Sequence, residues 1–140
     1  MGTVYATITI KNQFDIRDAL TGYIKEKDIR QTTVEAVVDT GAKALVISEE
    51  LRQQLGLEIM GERPAAVANG ADVMLKIAGP VELQWKNRTM MIQPFVLPGC
   101  KETLLGVIPL EYMDLIVDPI KEELVGAHGD DMLVMVYSTQ

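Results

Sequence analysis

The stretch Val37-Val38-Asp39-Thr40-Gly41-Ala42 constrains this chain more than any other, because it sets a carboxylate on a tight turn at the end of a buried strand. The run Thr32-Thr33-Val34 and the apolar Ala36-Val37-Val38 lead into the turn. Ala44-Leu45-Val46-Ile47 lead away from it, so the segment reads as strand, turn, strand. A carboxylate ionised in such a place costs free energy unless partners hold it. Thr40 offers a hydroxyl donor, and Gly41, lacking a Cβ, lets a neighbouring backbone come within bonding distance. The plainer reading is a β-turn in which Asp39 bonds its own backbone two residues on. The tripeptide by itself leaves both open.

A second segment narrows the choice. Leu104-Leu105-Gly106 reads as a short strand ending at a glycine, and Val107 to Met113 as a short helix with Pro109 in its first turn, where a missing N–H is tolerated. Leu115-Ile116-Val117 resumes as a strand. Between the two segments, Ser48 to Gly56 reads as a capped helix: Ser48 caps, Glu49 and Glu50 sit in the first turn, and Gly56 closes it. Ala65 to Ile77 reads as a hairpin turning at Asn69-Gly70, the strongest two-residue turn signal. The order after Asp39 is therefore strand, exposed helix, hairpin, strand-glycine, helix, strand.

With these segments in this order, the chain resembles the retropepsin-like aspartic proteases, the family that includes retroviral proteases and short prokaryotic relatives. The likeness runs from Val34 to Pro119. It rests on Val38-Asp39-Thr40-Gly41-Ala42, on Ala68-Asn69-Gly70 midway, and on Leu104-Leu105-Gly106 before the last helix. It implies an all-β fold with short helices, closed and barrel-like, with residues 1–140 forming one domain and one lobe per chain. It implies an aspartic endopeptidase with Asp39 as the catalytic residue, Thr40, Gly41 and Ala42 supporting the turn, and Gly106 packed against it as a structural glycine. Ala68, Asn69 and Gly70 become substrate-binding candidates on a flap, and neither metal nor other cofactor is implied. Retroviral members usually carry an acid directly after the Asp-Thr-Gly-Ala and an Arg after the later glycine; here those positions are Lys43 and Val107.

Mechanism then predicts a homodimer acting on a peptide or protein substrate. Hydrolysis by activated water needs one carboxylate to take a proton and another to give one, and two close carboxylates share a single proton because both cannot ionise. The chain has one Asp-Thr-Gly and no Asp-Ser-Gly, so the second carboxylate is expected from a second copy of Asp39 at a two-fold axis. The rival expectation is a catalytically silent dimer of the same fold, acting as a binding module for protein or peptide.

Composition fits these expectations and excludes others. At 140 residues the chain can bury about two thirds of its unfolded surface, and with two Phe and one Trp its core is expected to be aliphatic. A net charge of −7 argues against nucleic acid as the ligand. No run approaches the length of a membrane helix, and the start lacks a signal-peptide pattern, so a cytoplasmic protein without membrane contact is expected. One cysteine, Cys100, fits a reducing compartment. Charge repulsion would vanish near the sequence pI of about 4.7, which suggests a working pH nearer neutral.

The remaining segments are read more plainly. Thr3 to Ile10 alternates as a half-buried strand, Lys11 to Asp28 is polar and reads as a long connection or a short insertion, and Lys25 to Arg30 alternates in sign as a solvated turn. Val81-Trp85 and Met90-Leu97 form a hairpin around Lys86-Asn87-Arg88. Met90-Met91 and Met132 to Met135 are expected in core or pocket lining, and Met132 to Tyr137 as a core or interface strand. His128 is expected in a solvated loop, and nothing in the spacing pairs it with Cys100. Val37, Leu45, Ile47, Met74, Ile77 and Ile108 are candidate linings for apolar subsites.

Overall fold

The computed structural model describes residues 2–66 and 69–134. Strand β1 (Tyr5–Asn12) runs two residues further than its alternation suggests, burying Ala6, Ile8, Ile10 and Asn12 on one face. It pairs antiparallel with β2 (Gln31–Val38), with Tyr5 opposite Val37. Then come β3 (Leu45–Ile47), α2 (Glu49–Gln54), β4 (Ile59–Ala66) and β5 (Asp72–Ala78). They are followed by β6 (Val81–Trp85), β7 (Arg88–Ile92), β8 (Phe95–Val96), β9 (Leu104–Leu105), α3 (Val107–Tyr112), β10 (Leu115–Asp118) and β11 (Glu123–Gly126).

Nine strands form one sheet in the order β4-β5-β8-β3-β9-β2-β1-β6-β7, curled into a half-barrel, while β10 and β11 pair separately. The aliphatic core inside the curl takes Ile8, Ile10, Leu45, Ile47, Leu55, Leu83, Leu105 and Met113, each fully or almost fully buried. β2 and β3 flank the turn at Asp39 but do not pair with each other. The two-residue β9 lies between them, parallel to β2 and antiparallel to β3. The turn from β2 to β3 must therefore pass over the end of β9, and that crossing positions Asp39.

The polar connection expected over Lys11 to Asp28 is instead structured. Asn12 caps a helix, α1 (Gln13–Leu20), by accepting from the Asp15 N–H, and its side-chain amide donates 2.9 Å to the Leu55 carbonyl. The helix has no apolar stripe because its buried residue is Asp15. That carboxylate takes a forked bond from Arg30, at 2.8 and 2.9 Å, and a third from the Arg30 backbone N–H. Arg30 is thus the partner of a buried acid rather than part of a solvated turn, although Glu26–Asp28 is an exposed 3-10 turn as expected.

Three hairpin expectations change. β4 and β5 pair in a register that sets Ala66 opposite Asp72, which does not centre a two-residue turn on Asn69-Gly70; residues 67 and 68 lie outside the described residues. Met90 to Leu97 is not one strand: β7 stops at Ile92, Pro94 interrupts it, and Phe95–Val96 crosses to pair with β3 and β5. The β6-β7 turn consists of Lys86 and Asn87 alone, and Arg88, expected in that turn, pairs with Trp85 inside the strand.

The burial of Arg88 is what the sequence reading missed. It is 2% exposed and donates to the carbonyls of Met113 at 2.9 Å, Asp114 at 2.5 Å and Gly129 at 2.5 Å. One guanidinium therefore ties β7 to the end of α3 and to the segment after β11. His128 lies beside this junction and is not merely solvated: its Nδ1 is 2.9 Å from both carboxylate oxygens of Asp114. That imidazole holds the Asp114 carboxyl below the ordinary carboxylate range. Of the methionines expected inside, Met90 is buried and Met132 packs on the core, but Met91 is 65% exposed. Residues 132–134 are not strand, and the rest of the strand expected there lies outside the described residues.

Candidate active site

Asp39 follows the last residue of β2 and is half-buried. Its backbone N–H donates 3.0 Å to the Leu105 carbonyl of β9, and its own carbonyl accepts from the Ala42 N–H at 3.0 Å, which closes the turn. One carboxylate oxygen accepts from the Gly41 N–H at 2.9 Å. A Cβ on Gly41 would sit 3.1 Å from that oxygen, so the glycine keeps the approach open. The hydroxyl of Thr40, which the sequence offers as a donor to Asp39, makes no hydrogen bond among the described residues, and Thr40 is exposed. The carboxylate is thus oriented by backbone on a residue that is half open to solvent.

Gly106 explains how the turn is held. Its N–H donates to the Ala44 carbonyl at 3.0 Å, Val107 N–H to Ala42 at 2.9 Å, and Ile108 N–H to Lys43 at 2.8 Å. Three successive carbonyls of the turn are thereby bonded to three successive N–H groups at the start of α3. These N–H groups belong to a helix N-terminus and have no partner within it, so the clamp satisfies both parties. A Cβ on Gly106 would lie 2.5 Å from the Ala44 oxygen and 2.6 Å from the Ala42 oxygen. Its φ of −92° is ordinary; glycine is required by close approach, not by an unusual backbone.

The β4-β5 hairpin carries the flap candidates. Asn69 accepts from the Ala71 N–H at 2.9 Å, a local turn of its own, and Gly70 has φ +83°. Both are exposed, and Ala68 lies outside the described residues. Of the candidate subsite linings, Leu45 and Ile47 are fully buried in the core and cannot meet a ligand. Val37 and Ile77 are half-buried, whereas Met74 and Ile108 are about half exposed, at 53% and 52%. Among the described residues no group of three or more His, Cys, Asp or Glu side chains is arranged to hold a metal ion. No helix among them is long and apolar enough to cross a membrane.

A strand-borne Asp-Thr-Gly turn clamped by a strand-glycine-helix unit, in a curled sheet of this order, defines an aspartic protease architecture. Residues 26–111, more than half of the chain, match the family described as "gag-polyprotein putative aspartyl protease", and the chain belongs to that family. Among solved structures it is similar to the retroviral protease-like domain of Ddi1 from Leishmania major, with a TM-score of 0.56, 16% identity, and coverage of 89% of this chain and 88% of that one. It is also similar to the EIAV protease complexed with the inhibitor HBY-793, with a TM-score of 0.54, 17% identity, and coverage of 79% and 86%. No curated protein matches the chain significantly. The fold is therefore retropepsin-like.

Proposed function

We propose that this chain is one half of a homodimeric aspartic endopeptidase, with Asp39 from each subunit forming a shared-proton pair that activates water against a peptide carbonyl. The observation that carries the reading is Asp39 itself: a single carboxylate, oriented by the Gly41 N–H and presented on a turn clamped by α3. One carboxylate cannot be both acid and base at one pH, whereas two brought together on a two-fold axis divide those roles by sharing a proton. Thr40, exposed and free of hydrogen bonds among the described residues, is suited to bracing the partner turn across the axis. Gly41 offers its carbonyl to substrate backbone, Ala42 packs under the site, and Gly106 supports it.

Asn69 and Gly70, with Ala68, are proposed to close over an extended peptide and exclude water from the reacting bond. The chain functions in this reading as a single domain without metal or cofactor. A cytoplasmic setting suits its lone Cys100. The test is cleavage of a diverse peptide mixture between pH 4 and 8 by the parent and by Asp39→Asn, with dimer mass followed in parallel. Cleavage by the parent that vanishes in a variant still dimeric is the expected result. A folded dimer that binds peptides but cleaves none, at any pH, would replace this reading with a silent binding module.

A further inference from the structure

Asp114, between α3 and β10, gathers the bonds that fasten the chain after β11. Its φ of +58° is a left-handed backbone that a short polar side chain tolerates. Its carbonyl accepts from the Ala127 N–H at 2.9 Å and from Nη1 of Arg88 at 2.5 Å. Its carboxylate, on a side chain only 12% exposed, accepts from the Leu133 N–H at 3.2 Å and meets Nδ1 of His128. That nitrogen stands 2.9 Å from both carboxylate oxygens. Equal distances are the placement of a cation between two oxygens, whereas a neutral donor aligns on one lone pair. His128 is the only histidine in the chain, so one imidazole proton bears on the bonds that hold residues 127–133.

The other charged groups nearby do not change sign in the same range. From β7, Arg88 bears on Asp114 with a permanent charge. In the segment itself Asp130 and Asp131 are exposed, as are Glu111 of α3 and Lys86 of the β6-β7 turn, and among the described residues none of the four is in an ion pair. β10 and β11 carry Asp118 and Glu123 at the end of the hairpin away from Asp114. The His128 hydrogen bond, more than any other cause, holds the Asp114 carboxyl below the ordinary range. Its contribution is therefore complete above the unfolded carboxyl value and lost only as pH falls through the lowered one. The contribution of the imidazole runs the other way: it is complete while the ring is protonated and lost as pH rises through about 5 to 8, where imidazoles change charge. We propose that His128 and Asp114 form a pH-sensitive latch, closed in mild acid, that pins residues 127–133 to the end of α3 and loosens them as the ring gives up its proton. A neutral ring still donates one Nδ1–H bond, so the latch weakens without vanishing. The start of the same helix clamps the Asp39 turn, which puts the latch at the opposite end of that support.

Amide hydrogen exchange of the full chain between about pH 5.5 and 8, corrected for intrinsic rates, provides the test. In the parent, protection of the Leu133 and Ala127 N–H groups is expected to fall about two- to fivefold as pH rises across that range, while Ile8 and Ile10 in the sheet keep theirs. His128→Gln, which can donate a neutral bond, is expected to show low protection at Leu133 and Ala127 with no such fall. Asp114→Asn, which suits the left-handed backbone, is expected to behave alike. Added salt should lower the protection of the parent at the acid end towards its value at the alkaline end, because the His128 side chain is 58% exposed. Protection of Leu133 and Ala127 in the parent that is independent of pH overturns the latch. So does a fall that persists in His128→Gln, or one shared equally by Ile8 and Ile10, which would report the stability of the whole fold. Should Asp114→Asn fail to fold, His128→Gln decides alone, since it alters an exposed side chain.

Discussion

Gly106 and Arg88 show how differently single residues are written into a sequence. Gly106 stands in a local signal, a strand ending at glycine before a helix, yet its necessity comes from carbonyls more than sixty residues earlier in the chain. Gly106→Ala drives a Cβ into two backbone oxygens, and is expected to cost about 2–3 kcal/mol in urea unfolding because neither carbonyl can yield without opening the clamp. Gly99→Ala is the contrast: with φ +76° and open space around it, it should cost about 1 kcal/mol from backbone strain alone. Arg88 has no local signal at all, since a cation next to a turn normally reads as solvated. Its partners, Met113, Asp114 and Gly129, lie 25 to 41 positions away. Arg88→Lys keeps the charge but not the fork, so it leaves at least one of these carbonyls unpaired. A loss of about 2–3 kcal/mol is expected, with faster hydrogen exchange at the end of α3.

At the scale of elements, strands that alternate and helices that are capped were readable, and α1 was not. β1 and β6 announce themselves by burying every second residue, and α2 by Ser48 accepting from the Leu51 N–H with Gly56 beyond its end. α1 buries an acid instead of an apolar face, so periodicity had nothing to detect. Its attachment is testable by pH. Arg30, through its side-chain hydrogen bonds, holds the Asp15 carboxyl below the ordinary range. A depressed carboxyl contributes stability that is complete above its unfolded value and lost as pH falls through the folded one. Asp15→Asn should therefore be destabilised by about 1–2 kcal/mol at pH 7, and by progressively less below about pH 4 as the parent loses the same ion pair. Chemical unfolding at a series of pH values measures the gap; a gap independent of pH would mean the charge does not matter. β8 escaped for a different reason: two residues after a proline carry no period, and pairing with β3 and β5 is what makes them a strand.

For the whole molecule, the proposed dimer makes activity a property of pairs. If each active site needs Asp39 from both chains, mixing parent with an equal amount of Asp39→Asn and allowing exchange should leave about one quarter of the pairs active. A mixture that keeps half of the activity of the same number of parent chains would point to single-chain sites. Activity per chain should also fall on dilution through the dimer dissociation constant, following the dimer mass. The sequence by itself determined what is local: a carboxylate on a strand-turn-strand, a strand-glycine-helix unit later on, the caps, the alternation and an aliphatic core. Those features depend on residues within a turn or a pleat of one another, so their spacing survives in one dimension. Only the tertiary structure decided that β9 separates β2 from β3, that the α3 N-terminus binds the carbonyls of the Asp39 turn, and that Arg88 and Asp15 are buried in charged pairs or forks. These contacts join distant segments, and burying a charge or omitting a Cβ is worthwhile only after the whole sheet has brought the partners together.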